Sequence, residues 1–170
     1  MPVWLLGSSD FSARLAAELG LPFAFASHFA PGFLLQALDL YRTHFQPSAV
    51  LKQPRVAVGV NLVAADTDQE AFRLFTSIQQ AYLNLVRGTP RLIPPPVDSM
   101  EGRWNPFEKD QVERMTRCSA VGSLNTVQRA LTEIASSTNA DELILTGHIA
   151  EQAARLRSFE LAAALQKKSM

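Results

Sequence analysis

The sequence has little or none of several features that define protein classes. It has one cysteine, Cys118, so neither an intramolecular disulfide nor a cysteine-rich zinc site can form. Sixteen basic residues balance sixteen acidic ones, and this net charge of zero argues against nucleic-acid binding. No apolar run reaches the roughly 18 residues that span a bilayer, and the N-terminus lacks the basic region of a secretory signal. We therefore expect a soluble, cytoplasmic protein.

The composition and the length limit the fold. Of the 170 residues, 47% are hydrophobic, which is enough for a sizeable core and excludes disorder along the whole chain. The length indicates one domain. It excludes a complete (β/α)₈ barrel, which needs about 250 residues.

Short apolar runs alternate with amphipathic segments along the chain. Four runs are predicted as strands, and they cover residues 3–6, 23–26, 56–63 and 142–145. Strands separated by helices indicate an α/β fold with a parallel sheet. Residues 88–116 interrupt this alternation with prolines and glycine, and we predict an irregular insertion or lid there, with a short helix at 108–117.

Two of the predicted helices have recognisable starts. Ser9 or Asp10 is expected to cap the first helix. Thr67 and Glu70 have the spacing of a capping box at the start of a helix that runs to about Val86. The predicted buried stripe of that second helix consists of Phe72, Phe75, Ile78, Tyr82 and Leu85.

The turn Gly7-Ser8-Ser9 is a candidate phosphate site. Glycine lets the backbone approach a ligand, the following helix presents free N–H groups, and the serine hydroxyls add donors. The same residues also suit an ordinary strand-to-helix turn with a serine cap. Spacing alone leaves both interpretations open.

Polar residues also follow the other predicted strands. His28 comes after the second strand, Asn61 lies in the third, and Thr146 and His148 follow the fourth. Ligands of parallel α/β folds bind at the carboxyl ends of the strands, so His28 is a candidate general acid or base. A loop residue that never meets a ligand is the alternative for His28, and helix capping is the alternative for His148. The three histidines have no i, i+4 pair, so no metal site is predicted.

Several segments together resemble one enzyme family. Residues 3–29, VWLLGSSDFSARLAAELGLPFAFASHF, are similar to the middle of bacterial luciferase-like, flavin-dependent monooxygenases. Residues 54–70 resemble the next unit of that family, and the segments 121–123 and 141–143 resemble its last unit. Leu124 and Asn125 stand where the family commonly has a Pro-Glu pair.

The resemblance implies a fold and an activity. The family fold is a TIM barrel that binds FMN, and this chain matches the C-terminal half, a partial barrel of about four parallel βα units over 1–170. Reduced FMN from a separate flavin reductase and O₂ would oxidise a small organic substrate. By the same resemblance, Gly7, Ser8, Ser9 and Ser12 would hold the FMN phosphate, and His28 would be catalytic.

A half-barrel has physical consequences. Its outer strands leave open edges, and its inner sheet face is uncovered, which favours association. We expect a homo-oligomer or pairing with a separate N-terminal half. The residues proposed to face inward are Trp4, Leu6, Phe23, Phe25, Val58, Val60, Leu143 and Leu145. The alternatives to the enzyme are a truncated, non-catalytic remnant that acts as a flavin-binding or oligomeric module, and a phosphate-ester-binding protein unrelated to flavin.

Overall fold

The computed structural model describes residues 3–166, with side chains described to residue 165. Within this range, strands and helices alternate from β1 to α6. The strands are β1 (Leu5–Gly7), β2 (Phe23–Phe25), β3 (Val56–Ala64), β4 (Ser119–Gly122) and β5 (Glu142–Thr146). The helices are α1 (Asp10–Glu18), α2 (Leu34–His44), α3 (Asp68–Val86), α4 (Pro106–Met115), α5 (Leu124–Thr138) and α6 (Gln152–Gln166), with a short 3₁₀ helix at Pro31–Phe33. No helix in the described range is both long and apolar enough to cross a membrane.

All described strand pairs are parallel, and β3 lies at the centre of the sheet. Val58 pairs with Phe25 of β2 and with Leu143 of β5, so these two strands lie on opposite edges of β3. Asn61 pairs with Thr146 of β5 and with Ser119 of β4. It follows that β2 and β4 succeed one another along the same edge of β3. In the described range, β1 pairs with β2 alone and β5 with β3 alone.

The two faces of the sheet have different neighbours. One face packs against α1, α2, α5 and α6, and the core formed there contains Phe23, Phe25, Val58, Val60, Leu143 and Leu145. The prediction that these six residues face inward is therefore wrong, because strand alternation turns them toward the helices. The opposite face carries Leu6, Gly59, Asn61 and Ile144, as the strand register requires. At its carboxyl end, α3 and Ile149 pack against Val63.

The prediction of an α/β fold with a parallel sheet is confirmed, with one added strand. β4 was absent from the prediction because its four residues, Ser119–Gly122, do not form the apolar run that identifies the other strands. The predicted short helix at 108–117 forms as α4, two residues earlier in the chain. Of the predicted stripe on α3, Phe72 and Leu85 are exposed, while Ala71 and Leu74 are buried instead.

Both predicted helix starts are present. Ser9 is the N-cap of α1, and Thr67 is the N-cap of α3. At Thr67 the side chain accepts the Glu70 N–H. The Glu70 carboxylate binds the Arg73 guanidinium at 2.9 Å instead of the Thr67 N–H, so only half of the predicted capping box forms.

The irregular segment 88–105 lies against α3. Thr76 donates to the Val97 carbonyl at 3.0 Å and accepts the Val97 N–H at 2.8 Å. Gln80 donates to the Pro95 carbonyl at 3.0 Å. A small core that contains Leu83, Met100 and Val112 joins α3, the segment and α4. The segment is thus attached at several points, and a lid function for 88–116 remains a prediction.

Candidate functional site

Polar side chains meet at the carboxyl ends of β2, β3 and β5. His28 follows β2, Asn61 lies in β3, and His148 follows β5. The imidazoles of His28 and His148 are nearly parallel, with ring centroids 6.3 Å apart and an interplanar angle of 14°. The structure therefore brings together three polar residues that the sequence places in or after three separate strands.

Asn61 is the link between the two histidines. Its side chain is fully buried, and its Nδ2 donates to the main-chain carbonyl of His28. Its Oδ1 lies 3.3 Å from Nδ1 of His148 and 3.4 Å from the Thr146 hydroxyl. A carbonyl oxygen only accepts, so this arrangement assigns the proton of a neutral His148 to Nδ1. Nε2 of His148 is then the basic atom.

Tyr82 is a site residue that the sequence analysis missed. It extends from α3 and donates its hydroxyl to the His28 carbonyl at 2.7 Å. Burial raises the pKa of Tyr82, which keeps the hydroxyl protonated as a donor. Its helical spacing identified Tyr82 only as a core residue, because periodicity does not show which end of a half-buried tyrosine meets a polar group.

The His28 ring occupies a confined position. Its Nδ1 is buried and has no hydrogen-bond partner among the described residues. The Phe29 ring lies edge-on to it at 5.2 Å. A methyl group on Gly59 would lie 2.6 Å from this Nδ1, so the absence of a side chain at Gly59 leaves the space that the ring fills.

Both imidazoles favour the neutral form. Burial lowers the pKa of His28 below 6.5, and the nearby charge of a protonated His148 lowers it further. Burial lowers the pKa of His148 as well. Near neutral pH the site therefore offers two uncharged imidazoles, which accept protons and donate hydrogen bonds.

The Gly7-Ser8-Ser9 turn lies at the carboxyl end of β1 and starts α1. Ser12 N–H donates to Ser9 Oγ at 3.4 Å, and Ser9 N–H donates to Ser12 Oγ at 3.2 Å, which is a capping box. The Ser12 hydroxyl donates to the Ser9 carbonyl at 2.7 Å. A methyl group on Gly7 would lie 2.2 Å from Ser12 Oγ, so glycine is required there. The capping interpretation thus describes the geometry, and phosphate binding remains a prediction.

His44 and Cys118 have no bond to the side chains of this cluster in the part of the chain that the structure describes. His44 binds the Leu40 carbonyl near the end of α2 through its Nδ1 at 3.0 Å. Cys118 is buried, and burial raises the pKa of its thiol. Its Sγ lies 3.4 Å from the Gly59 carbonyl.

Comparison with known proteins gives one consistent family. Residues 1–164 match the family model described as luciferase-like monooxygenase. A relative named luciferase-like monooxygenase from Escherichia coli strain K12 is 51% identical over 162 residues, which are 95% of this chain and 48% of the relative. The chain thus spans about half the length of that relative.

Solved structures agree with the family match. The crystal structure of apo-MsnO8 superposes with a TM-score of 0.83 at 35% identity, over 98% of this chain and 51% of that one. The FMN complex of the oxygenating constituent of 3,6-diketocamphane monooxygenase from Pseudomonas putida superposes with a TM-score of 0.62 at 21% identity, over 94% and 46% of the two chains. The predicted partial TIM barrel is confirmed, with β1, β2, β3 and β5 as four neighbouring barrel strands.

Proposed function

Because this chain belongs to the luciferase-like monooxygenase family, we propose that it takes part in a flavin-dependent oxidation of a small organic substrate by O₂. The observation that carries the proposal is the cluster of His28, Asn61 and His148 at the carboxyl ends of parallel strands. This is the position where barrel enzymes bind substrates. The proposed setting is the cytoplasm, with reduced FMN delivered by a separate flavin reductase.

The α1 turn has a donor set that fits the FMN phosphate. Ser9 is exposed, and its hydroxyl proton can point outward while its oxygen accepts the Ser12 N–H. Ser8 is half-buried beside it, and Gly7 keeps the backbone close to Ser12. The N-terminus of α1 adds favourable electrostatics for an anion. The FMN complex of the Pseudomonas putida neighbour supports FMN as the cofactor.

The histidine pair would bind and orient the substrate and manage its protons. Bound FMN would supply the redox chemistry with O₂. His28, uncharged near neutral pH, would accept a proton or a hydrogen bond from the reacting group. Asn61 would fix the tautomer of His148 and hold the His28 backbone. Tyr82 would stabilise the same backbone from α3.

A second candidate is a non-catalytic flavin-binding or oligomeric module. One observation favours it: the chain spans about half of the length of its relatives. Binding of FMN without turnover would support this module over the enzyme.

The decisive experiment is a titration of the purified chain with FMN and, under anaerobic conditions, with reduced FMN. Quenching of flavin fluorescence reports the oxidised form, and calorimetry reports the reduced form. We expect dissociation constants below about 1 mM, the threshold of weak binding. Absence of binding in that range for both forms would refute the flavin proposal.

A matched pair of variants tests the phosphate site. Ser9→Asp keeps a good N-cap residue but places a negative charge where the phosphate would lie. Thr67→Asp makes the same kind of change at the N-cap of α3. We expect at least tenfold weaker FMN binding for Ser9→Asp, and wild-type binding for Thr67→Asp. Equal affinities in both variants would place the phosphate elsewhere.

A further inference from the structure

Two surfaces of the sheet are apolar and uncovered in the described range. On the face opposite the four packed helices, Leu6 is 66% exposed and Ile144 is 45% exposed. Leu6 lies on β1 and Ile144 on β5, the two outer strands of the β1-β2-β3-β5 order. The exposed apolar residues therefore flank the two strand edges that have no neighbour among residues 3–166.

The other face has a matching gap beside β5. A cleft of about 560 Å³ is lined by Leu143 and Leu145 of β5, Leu131 of α5, and Phe159 and Ala162 of α6. The side chains of Leu143 and Leu145 belong to the helix-facing core but are only partly buried. A strand added at the edge of β5 would place its own helix-facing side chains into this cleft.

The strand count indicates what fills these gaps. Four parallel strands, β1, β2, β3 and β5, form one continuous half of an eight-stranded ring. One chain covers 48% of the Escherichia coli relative and 51% of apo-MsnO8. Two copies therefore supply the eight strands of a complete ring.

We propose that two copies of this chain close a barrel together. A two-fold axis along the barrel keeps all eight strands parallel and joins β1 of each copy to β5 of the other, in two identical seams. Leu6 and Ile144 then lie inside the shared barrel, and the cleft beside β5 is filled by the partner's β1. Both polar clusters face the same end of the barrel. This inference concerns assembly and is independent of flavin binding.

The first test is the mass of the full chain in solution, measured by light scattering coupled to size exclusion at micromolar concentration. We expect twice the 18.7 kDa of one chain. A monomer would overturn the proposal. Larger open assemblies would overturn it as well, because a closed ring needs two copies only.

Point variants locate the interface. Leu6→Glu and Ile144→Glu put a charge on side chains that are exposed in the single chain, so each copy should still fold. We expect at least tenfold weaker dimerisation for both. Leu92→Glu, at a residue 93% exposed in the segment that packs on α3, is the control and should dimerise like the wild type. A dimer unaffected by the first two variants lies at another surface and overturns the proposal.

Cross-linking tests the arrangement of the seams. Leu6→Cys and Ile144→Cys chains are mixed and treated with a short thiol cross-linker, and the buried Cys118 provides little background. We expect a higher yield of links in the mixture than in either variant alone, because paired strands lie only about 4.8 Å apart, whereas the two copies of one residue face each other across the barrel. A Leu6→Cys sample that cross-links as efficiently as the mixture would refute the β1-to-β5 seam. A chain that stays monomeric until a complementary half of the Escherichia coli relative is co-expressed would show that the missing half is the partner instead.

Discussion

Gly59→Ala is the substitution that most directly probes the geometry of the histidine site. The new methyl carbon would lie 2.6 Å from Nδ1 of His28 and 3.3 Å from the Phe25 carbonyl oxygen. Ordinary contacts between such atoms are about 3.5 Å, so the His28 ring must move by about 1 Å. The ring is confined by Phe29 and His148, and its backbone carbonyl is held by two donors.

The loss of stability expected for Gly59→Ala follows from the lack of free space around both the β3 backbone and the His28 ring. β3 is bonded to β2 on one edge and to β5 on the other near Gly59, so the strand resists displacement as much as the ring does. Overpacking of this kind costs about 1–3 kcal/mol. In a protein of this size, 1 kcal/mol lowers the melting temperature by about 2–4 °C, so we expect a decrease of about 2–12 °C.

Urea unfolding measures the loss of stability, and imidazole NMR measures the pKa of His28. Gly32→Ala is the control, because no atom lies within 4 Å of its added methyl group. Both glycine-to-alanine variants reduce the entropy of the unfolded chain, so a difference in stability between them reports the contact with His28. In Gly59→Ala, displacement of the ring toward solvent should raise the pKa of His28 toward its ordinary 6.5. If Gly59→Ala is as stable as Gly32→Ala and the His28 titration is unchanged, the confinement argument is wrong.

Three further predictions concern stability and charge. Ser158→Ala removes the buried acceptor of the Ala64 N–H, a bond of 2.8 Å, and should cost about 1–3 kcal/mol in urea unfolding. Stability should fall as the pH drops below about 6.5, because the unfolded chain binds protons at His28 and His148 before the folded chain does; a His28→Gln/His148→Gln variant should show a smaller decrease. The pKa of Glu108, held at about 2 chiefly by the Arg87 side chain, should rise in Arg87→Gln when followed by carboxyl NMR.

The sequence predicts the main elements of the fold because strong local signals specify them. β3 is a long run of apolar and β-branched residues, and Ser9 and Thr67 have the side chains that helix starts require. β4 has no comparable signal, since its four residues form a strand through pairing with Asn61–Ala64. The sheet face on which each strand residue lies was predicted incorrectly for a different reason. Strand alternation separates the residues into two sets but does not show which set packs against the helices.

The site was predictable in part. The rule that ligands bind at the carboxyl ends of parallel strands identified His28, Asn61 and His148. Their mutual contacts depend on which strands are neighbours: the resemblance to a barrel implies that β3 and β5 are adjacent, but no local sequence pattern gives the register in which they pair. Tyr82 was hidden because a tyrosine in a helical stripe has the spacing of a core residue. The Ser9 and Ser12 hydroxyl oxygens each accept the other residue's backbone N–H across the first turn of α1. The sequence spacing allows this pair of bonds but does not require it.

The succession of β2 and β4 along one edge of β3 has a consequence for how the site can change. Between the last β2 pair at Val58 and the first β4 pair at Asn61, the ladder on that edge is interrupted, and side chains replace it: Ser27 donates to the Gly59 carbonyl at 2.6 Å, with Cys118 nearby. His28 leaves the sheet at this interruption. Substitution of Ser27 would remove a hydrogen bond that joins two parts of the sheet, so the histidine site should tolerate substitutions on α3 more readily than substitutions on the strands.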